Sequence, residues 1–166
     1  MSEFNDDQPH HEAPSEELAR LAREAIESQS GTTDTLSARR RCQRAIDLYA
    51  QGKVVEAQDY FHAAWVMLCG ESIAHFDLAR NFARQATEHG EERAWTLRAM
   101  AWDRWLVATG KPQRFGTQIV KQGGRWSLGE VDPQVSDHVR ASYAVPPLFV
   151  QIQRAEQLQR QEDSRS

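Results

Sequence analysis

AIDLYAQGKVVEAQDYFHAAWVMLCG, residues 45–70, is the stretch that decides the fold. Apolar side chains recur in it at the three- and four-residue spacing of a helix, both before and after Gly52. Gly52 interrupts the first apolar stripe and Gly70 follows the second. Because so short a connection allows little else, the two helices must lie antiparallel. The stretch therefore predicts one antiparallel helix pair.

The spacing within this pair is similar to that of a known repeat. Five residues stand in the order of the second half of a tetratricopeptide repeat: Gly52, Val54, Ala57, Phe61 and Ala64. Residues 38–69 therefore resemble one tetratricopeptide-like helix pair. A second pair is expected at residues 73–109, broken at Gly90. The predicted fold class is mainly α, with antiparallel helix pairs packed either as tetratricopeptide-like repeats or as an irregular bundle.

The C-terminal third has a different character. Gly110 and Pro112 end the second pair, because glycine caps a helix and proline cannot continue it. Residues 117–121 and 125–131 are predicted to pair as short strands around a turn at residues 122–124. Further helices are expected at residues 133–143, capped by Asp132, and from Leu148 onward. These elements would form a small β-hairpin and a helical C-terminal cap.

The domain organisation follows from these assignments. Residues 1–14 are too polar to repay the entropy of ordering, and they are predicted to be a disordered tail. A single helical domain is expected at residues 15–158. Within it, residues 38–109 hold the two helix pairs, and residues 110–149 hold the Gly-Thr-Gln turn, the hairpin and a helix. A second disordered tail is expected at residues 159–166.

Composition limits the classes of function. The chain has 166 residues, of which 20 are Lys or Arg and 24 are Asp or Glu, so its formal charge is −4. This mild acidity argues against a nucleic-acid partner, since neutralising phosphates requires a basic surface. No apolar run is long enough to span a bilayer, and no signal peptide is visible. Two cysteines suit a reducing compartment, so a cytoplasmic location is expected, whereas the oligomeric state cannot be deduced.

A more specific motif is GKPQRFGTQ at residues 110–118. It resembles the core of a bacterial domain family of unknown function, marked by Gly-Arg/Lys-Pro-Gln-x-Tyr/Phe-Gly-Thr-Gln. Over about residues 72–149 the resemblance adds four further matches: His75, Asp103-Arg104, Asp132-Pro133 and Pro147-Leu148. Phe115 takes the place of the more usual tyrosine. Because that family has no established activity, the resemblance indicates positions and no reaction.

Asp103 and Arg104 stand among apolar helix neighbours, so each charge must be paired or hydrogen-bonded. In a structural interpretation, Asp103 accepts backbone N–H groups from the turn at residues 116–118, and Arg104 pairs with an acid. In a functional interpretation, four residues form a polar pocket: His75, Asp103, Arg104 and Gln118. His75 would then be the general acid/base and Arg104 would hold an anionic substrate group. The two interpretations are compatible.

Metal and thiol chemistry are not expected. No His-x3-His or Cys-x2-Cys spacing occurs, and the pair His10-His11 falls in the predicted tail. Cys42 and Cys69 lie among apolar neighbours, where a free cysteine usually acts as a small hydrophobic residue. No cofactor is predicted.

Two hypotheses of function remain. The first is a non-catalytic helical interaction module that binds a protein or peptide partner along its helix pairs. The second is a small enzyme or ligand-binding protein that uses His75, Asp103 and Arg104 as candidate catalytic residues. Its ligand-binding candidates are Gln113, Thr117 and Gln118. Three tryptophans fall along one helix and are expected to pack against the neighbouring pair or to line a groove: Trp95, Trp102 and Trp105.

Overall fold

Helices make up most of the protein in the computed structural model, which describes residues 12–31 and 34–165. The helices in these ranges are α1 (Pro14–Glu27), α2 (Thr35–Ala50), α3 (Ala57–Leu68), α4 (Ile73–Glu88), α5 (Ala94–Ala108), α6 (Asp137–Ser142) and α7 (Leu148–Asp163). Two short strands, β1 (Val120–Gln122) and β2 (Arg125–Ser127), lie between α5 and α6. The predicted fold class is confirmed: antiparallel helix pairs with a small hairpin and a helical C-terminal cap.

The helix pairs begin where local capping satisfies the first backbone N–H groups. The Asp34 side chain accepts hydrogen bonds from the first turn of α2, and the Ser72 hydroxyl accepts one from the first turn of α4. Glu56 and Asp59 form a reciprocal capping box at the start of α3. Because each helix has an apolar stripe, α3 packs against α1 and α4, and α4 packs against α5. Their buried side chains form the first core, which includes Leu18, Leu48, Met67, Phe82 and Leu97.

Helix α5 contributes to two cores because it carries apolar residues on more than one face. Leu97 and Ala101 belong to the first core. Ala99 belongs to a second core, formed with Phe115, Val135 and Val145. Trp102 and Tyr143 pack against that second core, and the ring centroids of Phe115 and Tyr143 are 4.6 Å apart. The segment after α5 is thus folded back onto the helix that precedes it.

The predicted hairpin is present, but its strands are shorter than expected. Val120 pairs with Ser127 and Gln122 with Arg125, which leaves Gly123 and Gly124 as a two-residue turn. Both glycines have positive φ, +56° and +79°, as this turn requires. The backbone of residues 117 and 118 is hydrogen-bonded to side chains rather than to a neighbouring strand, so pairing begins only at Val120.

Three predicted boundaries in the sequence were wrong. The helix predicted at residues 133–143 with Asp132 as its cap starts instead at Asp137, and Ser136 is its cap. Asp132 accepts the Gln134 N–H in a separate turn before the helix. The chain does not become a tail at residue 159, since α7 continues to Asp163. The Gln159 side chain, which is buried, accepts the Trp126 N–H there at 2.8 Å. At the other end α1 already begins at Pro14, inside the predicted tail of residues 1–14.

The remaining tail predictions, for residues 1–11 and 166, lie outside the described residues. Within the described ranges, none of the helices combines the length and the apolar character that crossing a membrane requires.

Candidate functional site

Asp103 ties α5 to the loop that follows it. The side chain is fully buried, and its two carboxylate oxygens accept four hydrogen bonds. Oδ1 accepts the backbone N–H groups of Arg114 at 2.7 Å and Phe115 at 3.1 Å. Oδ2 accepts the backbone N–H and the hydroxyl of Thr117, at 2.9 and 2.8 Å. These bonds satisfy the buried charge. Of the backbone donors, Thr117 belongs to the turn named in the structural interpretation, whereas Arg114 and Phe115 precede it.

The Gln113 side chain also holds the loop together through hydrogen bonds to backbone groups. Its side chain is 1% exposed, and its amide nitrogen donates to the carbonyl oxygens of Gln118 and Leu128, at 2.9 and 2.6 Å. Its amide oxygen accepts the Gln118 N–H at 2.8 Å. The backbone of Gln113 also bridges to Val131. Gln113 therefore connects the Gly-Thr-Gln turn to the strand that leaves the hairpin, and its amide is not open to a ligand.

Arg140, which the sequence did not single out, also binds backbone groups of this loop and of the segment after the hairpin. Arg140 is 2% exposed, and its guanidinium donates to the carbonyl oxygens of Phe115 at 2.9 Å and Val135 at 2.8 Å. It also pairs with the Asp137 carboxylate at 3.1 Å. The sequence offers one indication that Arg140 could be structural, its position one turn after Ser136-Asp137. An arginine at such a position on a short helix can equally well be exposed. A buried arginine could not be distinguished there from an ordinary surface one.

Arg104 and Asp103 are adjacent in the chain but lie in different surroundings. The exposed Arg104 guanidinium carbon is 4.9 Å from the centre of the Phe76 ring, which is a cation–π contact. Within the described residues, no acidic side chain forms the ion pair that the structural interpretation had given to Arg104. That part of the prediction was wrong, because the α4 aromatic ring provides the contact instead.

His75 lies near the start of α4, packed against the Gly70 backbone. Its Nδ1 accepts the Glu71 N–H at 3.2 Å, and its own N–H donates to the Ser72 hydroxyl at 3.1 Å. His75 is thus part of the turn between α3 and α4.

Of the four residues predicted to form a polar pocket, Asp103 and His75 use polar groups in other contacts. The Asp103 carboxylate is fully hydrogen-bonded, and the His75 Nδ1 is engaged by the turn between α3 and α4. The third ligand-binding candidate, Thr117, donates its hydroxyl to Asp103, and the Gln118 amide nitrogen contacts that same hydroxyl at 3.2 Å. Asp103, Thr117 and Gln118 hold the loop against α5.

Burial of the His75 ring predicts a dependence of stability on pH. Burial lowers the pKa of His75 below its usual value of 6.5, so folding favours the neutral ring. Its contribution is complete above pH 6.5 and is lost as the pH falls through the folded-state pKa. We expect the wild type to lose stability relative to His75→Asn, which keeps an acceptor oxygen, between about pH 7 and pH 5. The effect is small because the ring is only partly buried.

Urea unfolding of both proteins at the two pH values measures this difference. Parallel losses of stability in the wild type and in His75→Asn would show that the ring makes no pH-dependent contribution.

The thiols lie in protected surroundings. Burial raises the pKa of Cys42 and of Cys69 to about 11, so both thiols stay protonated at neutral pH. The pair His10-His11 lies outside the described residues. Among the residues that are described, no three His, Cys, Asp or Glu side chains are grouped so that they could hold a metal ion.

Two open depressions adjoin α5. The first is a cleft of about 670 Å³, bounded by the end of α5, the loop before the hairpin and the segment after it. Its walls include Trp102, Lys111, Arg114, Glu130 and Asp132. We call it the cleft. Its lining combines two basic side chains, two acidic ones and the Trp102 indole ring.

The second depression, which we call the hollow, has a volume of about 200 Å³ and lies between α4 and α5. Its walls carry three arginines and one carboxylate: Arg80, Arg84, Arg98 and Asp77, with Asn81 and Trp102 beside them. Arg80 and Arg84 are one turn apart on α4, as are Arg98 and Trp102 on α5, so each pair presents side chains on one helix face.

Trp102 lines both depressions, so they adjoin at its ring, and we call the two together the groove. The guanidinium carbons of Arg114 and Arg80 lie 4.9 and 5.7 Å from the centre of its ring. The neighbouring Trp105 ring is 4.2 Å from the Arg80 guanidinium and 5.0 Å from the Lys111 ammonium. The sequence suggested a tryptophan beside a groove, but not the arginines that accompany it.

No family model, curated protein or solved structure matches this chain.

Proposed function

We propose that this protein is a non-catalytic binding module whose groove holds an acidic, extended segment of a partner protein. The observation that carries the proposal is the position of Trp102, which lines both the cleft and the hollow. A chain lying across this ring would place consecutive side chains in both depressions. Aromatic anchors flanked by arginine are typical of the residues that dominate binding energy at protein interfaces.

The charge of the groove supports an acidic occupant. Within the described residues, Arg98, Lys111 and Arg114 have no carboxylate within ion-pair distance. Their charges are held in place by tryptophan rings rather than neutralised. A ligand carboxylate would meet preorganised guanidinium groups, which lowers the entropy lost on binding.

The engagement of the catalytic candidates favours binding over catalysis. Asp103 gives all of its hydrogen-bonding capacity to the loop, and the His75 Nδ1 acceptor is taken by the Glu71 N–H. A general base must reach the proton that it removes. In the alternative of a small enzyme built on His75, Asp103 and Arg104, the Asp103 carboxylate and the His75 Nδ1 would first have to release these contacts.

Three further features belong to the same proposal. The tetratricopeptide-like pair at residues 38–69 is a kind of scaffold that presents side chains along a helical face. A cytoplasmic location agrees with two cysteines kept as thiols. The resemblance of residues 72–149 to a bacterial domain family stays a prediction.

A selection from a displayed library of random short peptides tests the proposed function. We expect the enriched peptides to carry Asp or Glu on both sides of an aromatic or aliphatic residue. Reversing one charge of the cleft, by Arg114→Glu or Lys111→Glu, should weaken binding of a fluorescently labelled enriched peptide about tenfold.

The matched control is Arg40→Glu, an exposed arginine on α2, which should leave the affinity unchanged. The proposal fails if no peptide is enriched. It fails equally if the enriched peptides bind the cleft variants as tightly as they bind the wild type.

A further inference from the structure

The hollow differs from the rest of the groove in its concentration of positive charge. Three guanidinium groups and one carboxylate line a space of about 200 Å³. The cleft, by contrast, balances Lys111 and Arg114 against Glu130 and Asp132. Arg80 and Arg84 each have one carboxylate partner, Asp77 and Glu88, at 3.1 and 3.4 Å. Arg98 has none among the described residues, so the hollow keeps a net positive charge.

Two arginines of the hollow, Arg80 and Arg98, are held in place by one hydrogen bond and one aromatic ring each. Arg98 donates to the Thr87 hydroxyl at 3.0 Å and lies over the Trp95 ring at 5.4 Å. Arg80 donates to Asp77 at 3.1 Å while it stacks on Trp105. Each guanidinium has five N–H donors in a planar fork, and a single fixed contact leaves most of them for a ligand. The geometry thus holds planar donors in place beside an open space.

We infer that the hollow binds the phosphoryl group of a phosphorylated side chain on the partner segment, an inference that rests on the proposed function. A phosphomonoester carries close to two negative charges at neutral pH and three acceptor oxygens. It can accept paired hydrogen bonds from more than one guanidinium at once. A carboxylate has two oxygens and one charge, so it leaves one or more of the three arginines unmatched.

The surroundings of the hollow favour one phosphoryl group over a nucleic-acid backbone. A polyanion needs a continuous basic track along its phosphates. Here Asp77 lies in the hollow wall, and Glu130 and Asp132 lie in the adjoining cleft. These carboxylates would repel successive phosphates on both sides. A single phosphoryl group beside Trp102 can contact all three arginines, and among the described lining residues of the hollow it faces one carboxylate, that of Asp77.

The test uses phosphoserine alone and phosphoserine within a peptide. Phosphoserine should shift the side-chain Nε–Hε signals of Arg80, Arg84 or Arg98 in an NMR titration, and Arg98→Gln should abolish the shift. Arg84→Gln, at an exposed position, is a second variant in case Arg98→Gln does not fold. Arg104→Gln is the matched control, because it removes an arginine of the same helix that lies over Phe76, outside the hollow.

A groove-binding peptide from the library is then resynthesised with serine, glutamate or phosphoserine at each position flanking its apolar residue. At one position, phosphoserine should bind about tenfold tighter than serine and clearly tighter than glutamate. The advantage over serine should fall below about threefold in Arg98→Gln and persist in Arg104→Gln.

Each result either supports or overturns the inference. Absence of arginine shifts with phosphoserine overturns it, and so does a phosphoserine advantage that survives in Arg98→Gln. A single-stranded RNA that binds more tightly than the phosphopeptide and depends on Arg98 would overturn it in favour of a nucleic-acid site. Shifts with phosphoserine, but no peptide binding sensitive to Arg114→Glu, would refute the peptide groove while leaving the oxyanion site intact.

Discussion

Replacing Asp103 with asparagine is expected to lower the free energy of unfolding by about 3 kcal/mol or more. Each carboxylate oxygen accepts two hydrogen bonds, all from donors in the loop at residues 114–117. In the amide, one oxygen becomes an NH2 group that faces N–H and O–H donors. At least one buried backbone N–H then loses its acceptor, whichever way the amide is turned.

Chemical denaturation followed by circular dichroism measures this loss. The matched control is Asp77→Asn, which removes an exposed carboxylate with a single ion pair to Arg80 and should cost less than about 1 kcal/mol. Equal stabilities for Asp103→Asn and Asp77→Asn would contradict the role assigned to Asp103.

Replacing Gln113 with glutamate is expected to be comparably severe, about 3 kcal/mol or more near neutral pH. The amide nitrogen of Gln113 donates to two carbonyl oxygens, and a carboxylate oxygen in its place would face both. Burial raises the pKa of the introduced carboxyl, so protonation restores one donor. The destabilisation should therefore be smallest at acid pH and should grow as the pH rises through that pKa.

The control for this prediction is Gln134→Glu, since Gln134 is exposed in the turn after Asp132. Thermal unfolding of both variants at about pH 5 and pH 7.5 makes the comparison. If Gln113→Glu has no pH-dependent loss beyond that of Gln134→Glu, the buried amide does not hold the loop.

The helical part of the fold was predictable because its signals are local. The apolar spacing around Gly52 is visible in the sequence, and α2 and α3 lie on either side of that glycine. The end of α7 was not predictable. Its last turns are polar in composition, and they are ordered by contacts with Trp126, which lies more than thirty residues earlier in the chain. Cap residues gave a similar difficulty, because Asp132 and Ser136 are both suitable and only Ser136 begins a helix.

Part of the site was likewise predictable from the sequence, and part of it was not. Asp103 was singled out because a charge between apolar helix neighbours requires a partner, and the motif at residues 110–118 supplied one. The hollow depends on α4 and α5 packing side by side, so that Arg84 and Arg98 face the same space. The turn-length spacings of Arg80 with Arg84 and of Arg98 with Trp102 were present in the sequence. Nothing in it showed that the two pairs would meet.

The sharing of α5 between two cores has a consequence for cooperativity. The second core holds far fewer buried apolar residues than the first, and it is fastened to α5 largely through the Asp103 carboxylate. The segment after α5 can therefore open as a sub-global unit while the helix pairs stay folded. The cleft would disappear in that partly open form, whereas the hollow, built from α4 and α5 alone, would remain. Occupancy of the cleft is thus thermodynamically coupled to closure of the C-terminal unit, and a ligand that fills it stabilises that unit first.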